Sequence, residues 1–266
     1  MNQNIKFILA SSLILCSAFY KGQTSLEVTP PRNYFTSNAG ETSVKKIIVT
    51  NSSKTSPLTL TVSFNDWKYD ENGSNVMAEA GSLTNSCAKW ITIQPQSYFT
   101  LPPGESQEVE VTVTPPAQKT DTLNVHTAML FITQTNPIDS YNEDGALIKV
   151  SLRSGVKIYH RYSTVSDPNI EFNDFKLDKK SNTLELEIEN KGNIWTDGPI
   201  VTELINQNDG TKYKMDDQII YTLPGDLRIV PIPLPKNLKS GKYIATSSFS
   251  FGDDMIKMAE LTFSNE

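Results

Sequence analysis

Short runs in which apolar and polar residues alternate one by one, cut by Gly, Pro, Asn and Asp, govern what this chain can fold into. Leu184, Leu186 and Ile188 interleave with Glu185, Glu187 and Glu189, and Val109, Val111 and Val113 keep the same period. Leu58, Leu60, Val62 and Phe64 repeat it. Side chains of a strand point to opposite faces in turn, so each run describes a strand with one dry face and one wet face. No stretch sustains apolar residues at helical spacing. The chain is read as all-β.

In the first half the runs predict strands near 25–29, 44–51, 58–66, 90–93, 108–114, 126–134 and 147–159. Residues 138–145 form the loop before the last, and the seven strands make a sandwich. Asp167-Pro168-Asn169 marks a boundary, because a proline among polar residues disfavours continued regular structure. Further runs at 173–177, 183–190, 200–206, 218–222, 227–232, 241–251 and 256–263 predict a second, smaller sandwich, with Gly210 and Gly225 in turns. The expected architecture is two immunoglobulin-like β-sandwiches in tandem, over 24–164 and 165–266.

Residues 1–23 read as an export signal. Lys6 supplies the positive charge, and the apolar stretch 7–19 falls short of the roughly 20 residues a membrane span requires. Ala18 or the Gly22–Gln23 boundary suits cleavage. A lipid anchor on Cys16 is the weaker alternative, since Leu15 stands where a small residue is needed. The mature protein is expected to be soluble in an extracytoplasmic space.

Composition removes several functions. A net charge of −6 gives no concentrated positive surface for nucleic acid. Once Cys16 leaves with the signal, Cys87 has no partner for an internal disulfide, and it reads as structural rather than nucleophilic. The two histidines, His126 and His160, lack metal-ligand spacing and assemble no Ser-His-acid or Cys-His arrangement. No catalytic residue, cofactor, metal or small-molecule substrate is expected. Trp67, Trp90 and Trp195 are read as core residues ahead of a sugar-stacking platform. Asp216-Asp217 and Asp253-Asp254 are read as solvated turns ahead of calcium ligands. Asp70-Glu71-Asn72-Gly73 is a hairpin tip, and Lys179-Lys180-Ser181-Asn182 another turn.

The stretch 146–162 carries the strongest functional signal. Ile148, Val150 and Leu152 fall on one face of an extended segment that Val156 and Ile158 continue, while Lys149, Ser151, Arg153 and Lys157 take the other. Such a strand either closes its own sandwich or lends its apolar row to another protein. Gly155 offers a place for a bulge to re-aim the strand.

Several landmarks occur in a set order. They are Leu26-Glu27-Val28-Thr29-Pro30-Pro31-Arg32, then Ile47-Ile48-Val49-Thr50-Asn51, then Pro95 and Phe99-Thr100-Leu101-Pro102-Pro103-Gly104-Glu105-Ser106-Gln107, then Pro115, and last Val156-Lys157-Ile158-Tyr159-His160-Arg161. Together they resemble the PapD-like periplasmic pilus chaperones, mainly through the N-terminal domain. The resemblance implies an ATP-independent periplasmic chaperone. Its partner would be a secreted pilus or fimbrial subunit, and an outer-membrane usher a possible second partner. Arg32 and Lys157 would hold the subunit's C-terminal carboxylate, and Ile148, Val150 and Leu152 would complete the subunit's sandwich by donor-strand complementation. The second domain matches only as a β-sandwich and lacks the cysteine pair some members carry there. The alternative is a non-catalytic Ig-like module of the cell envelope.

Overall fold

The computed structural model describes residues 26–141, 145–252 and 254–265; the expected export signal over 1–23 lies outside the described residues. The first half contains β1 (Leu26–Thr29), β2 (Arg32–Ser37), β3 (Ser43–Asn51), β4 (Leu58–Tyr69), β5 (Asn75–Ala78), β6 (Ile91–Gln94), β7 (Tyr98–Leu101), β8 (Ser106–Val113), β9 (Val125–Gln134), β10 (Ile138–Tyr141), β11 (Leu147–Val150) and β12 (Arg153–Tyr162). One sheet has the order β1-β3-β8-β6. The facing sheet runs β2-β12-β9-β4-β5, with β7 also on β4. Ile47, Val49, Val109, Val111 and Val113 from one sheet meet Phe35, Leu58, Leu60, Leu130, Ile132, Val156 and Ile158 from the other, all in a dry core. Period-two alternation supplies both inner faces, as in other aligned sandwiches.

The second half contains β13 (Ile170–Asp178), β14 (Thr183–Asn190), β15 (Thr196–Asn206), β16 (Lys212–Lys214), β17 (Gln218–Thr222), β18 (Leu227–Pro233), β19 (Gly241–Phe251) and β20 (Met255–Asn265). The sheet β13-β14-β18 faces β16-β15-β19-β20, with β17 pairing β15. Leu184, Leu186 and Ile188 point inward against Ile200, Leu204, Tyr243 and Phe249, while the intervening glutamates stay outside. No β-ladder joins the two halves among the described residues. The protein is two immunoglobulin-like sandwiches in tandem.

The structure departs from the sequence pattern at several places. β2, β5 and β7 lie where the pattern predicts no strand. In β2 the inward positions are Asn33, Phe35 and Ser37, so two of three buried side chains are polar and the alternation is hidden. Residues 138–145, predicted as a loop, begin with β10, which pairs antiparallel with β11. The single strand predicted over 147–159 is two strands, interrupted at Ser151 and Leu152. There the Gln134 side-chain oxygen accepts the Leu152 N–H at 3.1 Å, and the Ser151 hydroxyl donates to the Gln134 carbonyl. A side chain from the neighbouring strand has taken the bonds that a continuous ladder needs. Gly155 forms no bulge: the β12–β9 register runs unbroken from Arg153↔Thr133 to Arg161↔Val125.

Candidate functional site

β2 and β12 run parallel, and their register places Lys157 opposite Arg32 and Tyr159 opposite Tyr34. Val156 and Ile158 face the first core, so the period of two turns Lys157 and Tyr159 the other way, toward the second sandwich. There they join an aromatic cluster drawn from both halves. Tyr34 stacks on Tyr159 at 4.7 Å and meets Trp195 at 5.2 Å. Trp67 stands edge-on to Tyr69 at 4.9 Å and to Tyr159 at 5.4 Å. Leu223 and Tyr221 of the second half pack into the same cluster.

The two cations hold unusual positions. The ammonium of Lys157, a residue 8% exposed, donates to the Tyr69 hydroxyl at 2.9 Å and lies 4.1 Å above the Trp67 ring and 4.2 Å above Tyr69. The Arg32 guanidinium lies 4.0 Å over the Tyr221 ring, and its Nε is buried without a hydrogen-bond partner. No ion pair engages either side chain among the described residues. Burial lowers the Lys157 pKa from 10.5 to about 7, with the charges of Arg32 and Arg228 adding to the effect. Burial likewise raises the Asp226 carboxyl to about 6, against the Leu223 N–H that bonds it at 2.7 Å. Ring faces ease the desolvation of a cation, yet they supply no full counter-charge. A guanidinium fork beside an ammonium is a fit receptor for one carboxylate.

β11 leads to this pair. It bonds only β10, so its second edge is open among the described residues. The opening continues along the start of β12, because β2 joins only from Lys157 onward. Ile148 is 43% exposed and Val150 44% exposed, so neither belongs to the protein's own core; Leu152 is partly buried. The structure therefore brings Arg32 and Lys157 together and sets Ile148 and Val150 along the approach to them. Sequence reasoning missed Tyr69, Tyr159, Tyr221 and Arg228. The spacing of Tyr34 and Tyr159, each two residues beyond its cation, was a legible signal; Tyr221 and Arg228 had none.

His126 and His160 are direct cross-strand partners, 6.4 Å between ring centroids, and both are buried beneath Trp90. His160 Nε2 pairs with the Ser37 hydroxyl at 3.0 Å, and His126 Nε2 with Asp121 at 3.1 Å. Cys87 is buried, and desolvation pushes its thiol pKa up.

No protein-family model matches the sequence, and no curated protein matches it. Solved structures do match in fold. The YadV chaperone aligns over 89% of this chain and 99% of its own, with 11% identity and a TM-score of 0.50. The CsuC–CsuE chaperone–tip adhesion subunit pre-assembly complex of Acinetobacter baumannii Csu pili aligns over 90% and 97%, at 10% identity and a TM-score of 0.48. The Salmonella enterica SafA pilin in complex with the SafB chaperone gives 91% and 97%, at 14% identity and a TM-score of 0.48. The YadV match carries the assignment of fold: across both sandwiches, the chain resembles the PapD-like pilus chaperones.

Proposed function

We propose that the protein is an ATP-independent periplasmic chaperone for secreted fimbrial-type subunits, delivered to that space by the signal at 1–23. A subunit strand runs parallel to β12 along the open edge of β11, and its terminal carboxylate meets Arg32 and Lys157. Ile148, Val150 and Leu152 fill the groove of a subunit sandwich that lacks a strand. One observation carries this reading: two register-paired cations, neither engaged in an ion pair among the described residues, stand at the end of an open strand edge with exposed aliphatics. An open edge of that kind invites non-specific pairing unless a partner covers it. Strand addition gives affinity through main-chain bonds and register through alternate side-chain pockets. An outer-membrane usher is the proposed acceptor of the complex. The alternative, a non-catalytic Ig-like interaction or structural module of the envelope, does not by itself call for a buried and a half-buried cation at the end of an open strand edge.

Co-purification from the periplasm tests it, comparing the native chain with Arg32→Ala, Lys157→Ala and Val150→Asp. Loss of either charge should weaken capture by about 2–5 kcal/mol, because the partner carboxylate stays desolvated. All three variants should fold and lose a strand-deficient subunit. Clients retained by both basic-residue variants would remove the carboxylate anchor.

A further inference from the structure

A cavity of about 480 Å³ opens immediately beside the two cations. Its apolar lining comes from Met77 on β5 and from Met129 and Phe131 on β9, with Gly155 of β12 between them and Arg32 and Lys157 at its charged end. Gly155 and Lys157 are two residues apart, so the cavity and the ammonium share one face of β12. Gly155 keeps the space open. A Cβ there would come within 3.1 Å of the Met129 sulfur and of Phe131 Cε1. Arg153, next along the same face, is held 3.6 Å above the Phe131 ring and so braces that wall.

We propose that this cavity receives the apolar side chain of the client's C-terminal residue, so that the cleft selects chains ending in a large apolar amino acid. The inference rests on the chaperone reading and names the class of ligand for that site. A strand arriving along β11 and early β12 brings its last residue alongside Gly155 as its carboxylate reaches Lys157 and Arg32. The cations fix which end of the client lies there, and the lining fixes its chemistry. The space admits a phenylalanine or methionine side chain, and thioether walls adapt to either. A polar or absent terminal side chain leaves the apolar walls unfilled.

The test uses labelled peptides of about a dozen alternating valine and serine residues, ending in Phe, Met, Gly or Asp, each as free acid and as C-terminal amide. Binding to the mature chain is followed by fluorescence anisotropy. Phe and Met acids should bind about tenfold more tightly than Gly and Asp acids, and every amide should bind more weakly than its acid. Acids that bind equally well whatever their last residue, while amides stay weak, would overturn this inference and leave the carboxylate anchor standing. Amides equal to acids would overturn the anchor itself. No binding by any acid at about 1 mM would overturn both. Gly155→Val and Met77→Ala give the same answer from the protein's side. Met77 is 41% exposed, so its truncation spares the fold, while Gly155→Val crowds β9. Both should lower the ratio of Phe-acid to Gly-acid affinity toward one, and an unchanged ratio in the Met77→Ala protein overturns the assignment.

Discussion

At the scale of single residues, Lys157 controls the chemistry of the cleft. Its pKa near 7, against an ordinary 10.5, follows first from burial and then from the neighbouring guanidinium charges. Between those two values the unfolded chain holds a proton that the folded chain lacks. Stability of the free protein therefore rises with pH across that window, and Lys157→Met should flatten the rise in a pH series of denaturant melts. Client binding has the opposite sign. A carboxylate in the cleft favours the ammonium, so a proton is taken up on binding above pH 7, and affinity falls as pH climbs. Calorimetry at pH 8 in two buffers of different ionisation enthalpy should register that uptake in the native chain and lose it in Lys157→Met. Equal heats in both buffers would refute the coupling. The identity of Arg32 and Lys157 was legible in the sequence through the resemblance, since each sits in a landmark of fixed order. Their electrostatic state was not, because it depends on rings at positions 67, 69 and 221 that only the fold brings near.

At the scale of elements, alternation made most strands readable and hid those whose buried face is polar. From Val156 to His160, β12 exposes neither face: Val156 and Ile158 serve the core, while Lys157 and Tyr159 serve the cleft. Its break from β11 could not be read from 147–159 alone, because the bonds that cause it come from Gln134. The pairing of β9 with β12 also sets His126 directly across from His160. Burial, and then the charge of the other ring, lowers the His160 pKa to about 4. Both imidazoles face Trp90 and Tyr162 with Asp121 at His126, and Lys119 lies 4.6 Å over the Tyr162 ring. A histidine held neutral adds stability that is present above its unfolded value near 6.5. That stability drains away as pH falls toward 4. His160→Gln should shift the acid unfolding midpoint downward in a circular-dichroism titration, and an unchanged midpoint would assign the acid limit to other groups. For β11, exposure predicts that Val150→Asp changes the unfolding free energy by no more than about 0.5 kcal/mol.

The cleft exists only at the scale of the whole molecule, which is why sequence reasoning located its cations and missed its far wall. Tyr221 lies under Arg32, and Arg228 holds that wall by donating from Nη1 to the Tyr221 carbonyl at 2.6 Å. Arg228 is in turn covered by the β4–β5 hairpin tip, where the Ile229 N–H donates to the Glu71 carbonyl at 2.7 Å. Gly73 lies against the same side chain: it has φ +83°, and a Cβ built on it would collide with the Arg228 guanidinium. Gly73→Ala should therefore do two things, strain a left-handed turn and push the sandwiches apart. Gly104→Ala separates them, since Gly104 shares the backbone strain at φ +75° and has nothing within 4 Å of the added atom. Each variant should lose about 1 kcal/mol from the turn. Only Gly73→Ala should also raise the radius of gyration in small-angle scattering and weaken capture of a carboxylate-terminated client, because Arg32 loses the surface it rests on. Native scattering and native capture in Gly73→Ala would mean that the hairpin merely touches the second sandwich, and that the cleft holds its geometry through the Tyr34, Tyr159 and Trp195 rings alone.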